Sequence, residues 1–481
     1  MENLTGFYGN MNFWDTGVWS LIITFALLMM SMLVANILRT KIPFLRRLMI
    51  PSAVLGGFIA LIVGFVYRLI TGEHMMSTVT LEELTYHGLG LGFVALTLTS
   101  TDKPKSKNAV AAAFHAGLGV VGTYLIQAIA GLAITLGLSY LFTSSDVKTY
   151  ALGVITALGF GQGPGQAYNW GHTYEATYGF TFGSSFGLTV AAMGFICASL
   201  GGIIYLNRMR RKGRLKGKLG DDVKESYKIS DFTGANEVPL NESMDKLTIQ
   251  VALVFMAYLA SYLFMWGVNC IIETGAMGNF GYNTIQPLLW GFNFIFGMLF
   301  AMLLKAIIMK LKKTGIMKRD YTSSFLQSRL SGFLFDVMVV ASIAAIDLDA
   351  FKHTEFVVPI ITVSIAAMVL TYWYCYMLSR RFFADYADQA FLSMYGMLTG
   401  TASTGVILLR EVDPKFDIPA ADNLVSLQPF AIAFGFPMLL LLSVAPKSKT
   451  HAWITIAALA GLFIFINILQ FAKYIFKKKK K

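Results

Sequence analysis

Apolar residues along the chain gather into runs of membrane-crossing length, separated by short polar or basic stretches. The runs lie at roughly 17–38, 50–70, 86–100, 108–142, 177–206, 247–268, 286–309, 331–347, 355–378, 421–444 and 451–473. A helix needs about 20 residues to cross a bilayer, so the pattern predicts an all-α polytopic membrane protein. The third and eighth runs are short. The fourth is long and holds Gly117, Gly119 and Gly122, which predicts a tilted or bent helix.

Two further segments, ALGVITALGFGQGPGQAYNWG (151–171) and AFLSMYGMLTGTASTGVILL (390–409), start apolar and then break into glycines and small polar residues. Glycines this dense, with Pro164 among them, do not hold a helix. Backbone groups freed at membrane depth must face a cavity enclosed by protein or water. The pattern predicts two re-entrant hairpins. Glycines that only permit close helix packing are the bland alternative.

Lysine and arginine orient the chain. With the N-terminus outside and both broken segments re-entering, only Arg68, Lys148, Lys352, Lys447 and Lys449 of the 39 basic residues fall outside. Counting either hairpin as a crossing would put the basic clusters outside. The C-terminal lysines 477–481 then face the cytoplasm.

The parts expected are an N-terminal repeat over 1–207 with its hairpin at about 150–176, and a basic, polar cytoplasmic linker over 208–246. A C-terminal repeat over 247–446 follows, with its hairpin at about 386–418, and then a final span and polybasic tail over 447–481. The halves correspond weakly but in order. IPSAVLGGF (50–58) matches IQPLLWGF (285–292), and FVALTLTSTDKPK (93–105) matches VVASIAAIDLDAFK (339–352). Each repeat has five spans, an odd number, so the second enters the bilayer inverted, the arrangement of secondary transporters.

Composition agrees. The 481 residues are 56% hydrophobic and 14% charged, and the net charge of +12 sits at the ends of apolar runs, which excludes a nucleic-acid partner and leaves the lipid bilayer. The N-terminus lacks a basic segment before its first apolar run, so no cleaved signal is expected. Cys197, Cys270 and Cys375 are too scattered for a metal site.

The chemistry gathers in the hairpins. In the first, exposed N–H groups with Gln162, Gln166 and Asn169 suit a carboxylate. The second offers Thr399, Thr401, Ser403 and Thr404 beside Gly400 and Gly405, whose oxygens suit a carboxylate or a sodium ion. Entering from opposite faces, the tips should meet near the midplane. Asp336, about one turn into the eighth span, is a cation candidate or an interfacial partner of Arg329. Asp347 and Asp349 read as a solvated helix end, His115 as a packed histidine, and Gln428-Pro429 as a kink or a cavity edge. No nucleophile–base pair is visible, so an enzyme is not expected. A channel would need a continuous polar lining, and the polar residues collect in two patches.

IPSAVLGG (50–57), GQGPGQAYNWG (161–171) and YGFTFGSSFGLTVAAMGFICASLGG (178–202) resemble the bacterial glutamate:sodium symporter (ESS) family. The resemblance runs in order along most of the chain. It implies a sodium-driven importer of glutamate or a similar carboxylate in the bacterial inner membrane, and a homodimer. It needs no cofactor beyond sodium as coupling ion. It points to Gly161, Gln162, Gly163, Gly165 and Gln166, and to Gly400, Thr401, Ser403, Thr404 and Gly405, as the loop tips. Thr399, Gly400, Thr401 and Asp336 are the sodium candidates. In this chain Gln162 stands where the family usually has a histidine, and Phe160 interrupts its double glycine. Transport of another organic acid, or coupling to protons, is the alternative.

Overall fold

The computed structural model describes residues 16–99, 107–142, 147–214, 246–317, 319, 321–413 and 418–477. Most of the linker expected at 208–246 and the end of the C-terminal lysine run lie outside the described residues. Among the described residues there is no strand. Ten helices among the described residues are long and apolar enough to cross a membrane.

Helices are numbered in chain order, with the shortest turns left unnumbered. The first half runs α1 (Thr16–Lys41), α2 (Ser52–Thr71), α3 (Thr78–Leu98) and α4 (Lys107–Leu138). It continues with the broken pair α5 (Thr156–Gly161) and α6 (Pro164–Tyr178), then α7 (Gly183–Arg211). The second half runs α8 (Lys246–Glu273), α9 (Gln286–Gly291), α10 (Asn293–Lys313), α11 (Ser324–Ala344) and α12 (Thr354–Phe382). The broken pair α13 (Ala387–Thr399) and α14 (Ala402–Arg410) precedes α15 (Ala420–Ser426), α16 (Gln428–Leu441) and the final α17 (Lys449–Lys477). Ten of the eleven expected spans coincide with the membrane-length helices. The remaining one is α3, 21 residues long, with Glu82 and Glu83 near its start.

Burial separates centre from rim. In α4 and α7, 72% of the apolar stretch is buried, against 22% in α1, α8, α10 and α17. The rim helices turn Leu33, Leu259, Leu303 and Ile464 outward. A monomer in water would not leave so much apolar surface uncovered, and this is the surface a bilayer would cover.

The halves use equivalent contacts. α1 packs on α2 as α8 packs on α10, and α2 lies against α11 as α10 lies against α3. α3 pairs with α11, and α4 with α12. Small residues permit the closest of these approaches. A Cβ on Gly131 of α4 would sit 2.1 Å from the Gly153 carbonyl oxygen, just before α5.

Three expectations need correction. The eighth span starts not at 331 but at Ser324, so Asp336 lies at mid-helix rather than at an interface. Its first turns, residues 324–330, read as a polar loop, but the Gln327 amide nitrogen finds acceptors inside the protein, while its buried oxygen accepts no hydrogen bond among the described residues. Gln327 Nε2 donates to Gln250 Oε1 at 3.1 Å and Ser331 Oγ to the Gly92 carbonyl at 2.9 Å. The seventh span is interrupted at Phe292, between α9 and α10. Arg208, Arg210 and Arg211, assigned to the linker, form the last turn of α7.

Candidate functional site

The first break follows from three residues. Gln162 and Gly163 both return their N–H groups to the Leu158 carbonyl, at 2.8 and 2.9 Å, which closes the end of α5. Gly163 then adopts φ +90° and ψ −179°, a conformation open essentially to glycine alone. Pro164 opens α6, where its missing N–H is no loss. Tyr124 of α4 lies across this turn and donates its hydroxyl to the Gly161 carbonyl at 3.0 Å.

The second break is built differently. Gly400 N–H bonds back to Gly396, ending α13, and Thr401 is extended at φ −146° and ψ 173° before α14 begins. The arms α13 and α14 fold tightly on each other. A Cβ on Gly405 would fall 2.5 Å from the Ser393 carbonyl oxygen. Both breaks leave first-turn N–H groups without helical acceptors.

The tips meet. A Cβ on Gly163 would sit 3.1 Å from Thr401 Cγ2. The breaks also share a neighbour on α7, where a Cβ on Gly194 would fall 2.3 Å from the Thr399 carbonyl oxygen and 3.4 Å from the Phe160 ring.

At this junction lies a cavity of about 130 Å³. A cavity of roughly 150 Å³ holds benzene, so the space suits a solute of several heavy atoms. Its polar lining consists of Tyr124, Gln162, Asp336, Thr401, Ser403 and Gln428. The rest is apolar, with Phe93 flanked by Phe294 and Phe335 at ring distances of 5.2 and 5.3 Å. Among the described residues, no lysine, arginine or histidine lines it. The buried amide oxygen of Gln162 accepts no hydrogen bond among the described residues. Asp336 makes no ion pair with Arg329, whose guanidinium lies over the Phe325 ring at 5.2 Å.

The expected site residues divide. Gly161, Gln162, Thr401, Ser403 and Asp336 line the cavity, and Gly163 touches Thr401. Gly165, Gln166, Asn169, Thr399, Gly400, Thr404 and Gly405 do not line it. Gly165 packs against Leu89 and Met338. The amide nitrogens of Gln166 and Asn169 reach toward the Gly291 carbonyl at 3.5 and 3.4 Å. Thr399 donates to Tyr395 within its own helix, and the buried Thr404 hydroxyl lies beside Gly400. Sequence reasoning missed Tyr124, an aromatic inside an otherwise apolar run, whose position under the first break is set by the crossing of α4 and α5. Gln428 is a cavity edge as well as the start of α16. His115 is packed, stacked on Phe382 at 4.6 Å.

A scan against models of known protein families returns no match, and a search of curated proteins returns none either.

Proposed function

We propose that the chain is a secondary active transporter that imports glutamate or a similar small carboxylate together with sodium, by alternating access. One observation carries the reading: two interrupted helices from the two halves touch at Gly163 and Thr401, beside a small cavity lined by amide and hydroxyl groups and one unpaired carboxylate. Helix interruptions at membrane depth are tolerated where they line a cavity. In transporters they place N–H dipoles on anions and carbonyls on cations.

In this reading Gln162, Thr401 and Ser403 orient the substrate carboxylate. The first-turn amides of α14 supply further N–H groups. Asp336 and the carbonyls ending α5 and α13 hold the cation. The equivalent contacts of the two halves support an inverted repeat, with the broken pairs as re-entrant hairpins. The basic helix ends support an N-terminus outside and a cytoplasmic C-terminus, in a bacterial inner membrane. The homodimer rests on family resemblance alone.

A second reading, a proton as coupling ion, draws on the same Asp336, which has no basic partner to hold its charge. Uptake into proteoliposomes with sodium and proton gradients imposed separately distinguishes the two. The sodium gradient is expected to drive accumulation of radiolabelled glutamate, and Gln162→Ala and Ser403→Ala to impair it. Failure of either gradient to drive any of a panel of small carboxylates would end the transport reading.

A further inference from the structure

We infer that the protein carries a second anion site, for a phosphate group, where α7, α12 and α13 converge. The site is separate from the central cavity and independent of the transport reading. A pocket of about 250 Å³ opens between the C-terminal ends of α7 and α12 and the first turn of α13. Among the described residues, Arg208, Lys212, Arg214 and Arg380 line it, against the single carboxylate of Asp388.

That carboxylate is fully engaged. Arg380 Nη2 donates to Asp388 Oδ1 at 2.5 Å and to the Tyr205 hydroxyl at 2.8 Å, and Tyr205 in turn donates to Asp388 Oδ1 at 2.7 Å. Arg214 Nη1 reaches Oδ2 at 3.5 Å. Among the described residues, four cationic side chains thus face one anion, an excess of three positive charges. The C-termini of α7 and α12 offset about half a charge each, and the N-terminus of α13 returns about half. The surplus of between two and three charges matches a phosphate, which carries about −1.5 to −2 at neutral pH. Guanidinium forks recognise phosphate oxygens through paired hydrogen bonds.

The position adds to the fit. α7 and α12 are each 29 residues long, so their ends lie at the depth of lipid headgroups. Basic pockets between membrane helices hold anionic headgroups there. The phosphate is that of an anionic lipid or of a soluble phosphate compound. In either case it competes with Asp388 for Arg214 and Arg380, and so acts on the tie that holds the root of α13 to α7.

The test uses the full-length purified protein. Retention of phosphatidylglycerol or cardiolipin over phosphatidylcholine is read by native mass spectrometry. Binding of inorganic pyrophosphate is titrated at constant ionic strength. Selective lipid retention identifies a headgroup, and saturable pyrophosphate binding without it identifies a soluble ligand. Arg208→Ala with Lys212→Ala is expected to weaken whichever is bound by roughly thirtyfold, from two removed charges. Asp388→Asn, which removes the competing anion, is expected to tighten it. Absence of both kinds of binding in the unaltered protein overturns the site. So does affinity unchanged in the double variant, or weakened in Asp388→Asn.

Discussion

Replacing Gly163 by alanine attacks the junction of the two broken helices in two separable ways. The first is local. At φ +90° and ψ −179° an L-residue is strained by about 1–3 kcal/mol. The second is long-range, because the new Cβ would stand 3.1 Å from Thr401 Cγ2, inside the ordinary carbon–carbon separation of about 3.5–4.0 Å. Thr401→Ser removes that methyl group and leaves the strain untouched. Alone it should cost less than about 1 kcal/mol, the worth of one partly buried methyl. Gly163→Ala alone should cost about 2–4 kcal/mol, strain and crowding together. The double variant should then be less destabilised than the sum of the singles by about 0.5–1 kcal/mol, the coupling of residues in contact. Equilibrium unfolding in mixed micelles of mild and denaturing detergent reads these differences. Additivity to within about 0.3 kcal/mol would mean that the two breaks do not touch, and the central site would lose its basis.

Other tests address single features. On the proposed transport function, Asp336→Asn should abolish the dependence of uptake on the imposed cation gradient while leaving membrane insertion intact, as read in proteoliposomes. Unchanged coupling would remove Asp336 from the cation site. Gly153→Ala should destabilise by about 3 kcal/mol in the same micelle titration, because its Cβ would fall 1.9 Å from the Gly131 carbonyl oxygen and two backbones must separate. Gly137→Ala, in the same helix as Gly131 and with open space around it, should instead stabilise by about 0.5–1 kcal/mol. Asp349, between Lys352 at 2.7 Å and Arg68 at 2.9 Å, has its carboxyl held below the usual range, first by the Lys352 contact and then by Arg68. The stabilisation is whole above the ordinary carboxylate value of about 3.9 and disappears as pH falls through the lowered one. Acid unfolding of Asp349→Asn should lack that component.

The parts of the fold that were legible in the sequence are those that hydropathy dictates one residue at a time. Lipid selects apolar side chains over a fixed length, so the spans could be read off, and glycines with Pro164 inside an apolar run betray a broken helix. Burial among other helices hides the rest. The start of α11 was misplaced because residues 324–330, Gln327 among them, look like a loop until Gln250 is found opposite them. That error carried Asp336 from mid-helix to an interface. Glycine itself is ambiguous. Gly163 makes a turn that needs its φ, whereas Gly165 and Gly405, two residues and four residues beyond the breaks, make room for neighbouring helices. Gln166 and Asn169 have the right chemistry for a ligand, but the helical turns of α6 carry them toward Gly291.

The charges in the central cavity bear on why such a site would couple two solutes. Among the described residues, Asp336 is the one acidic residue lining it, and no basic residue lines it. A dicarboxylate entering alone would add negative charge beside that carboxylate, where apolar walls screen little of the repulsion. Amides and hydroxyls orient an anion without neutralising it. A bound cation removes the repulsion and makes the loaded site closer to neutral, which lowers the cost of moving it through hydrocarbon. The empty site keeps the lone charge of Asp336, and a site holding only the anion keeps more. The states easiest to move are therefore those in which cation and carboxylate travel together, and a lysine or arginine in the wall would cancel that dependence by serving as a resident counter-ion.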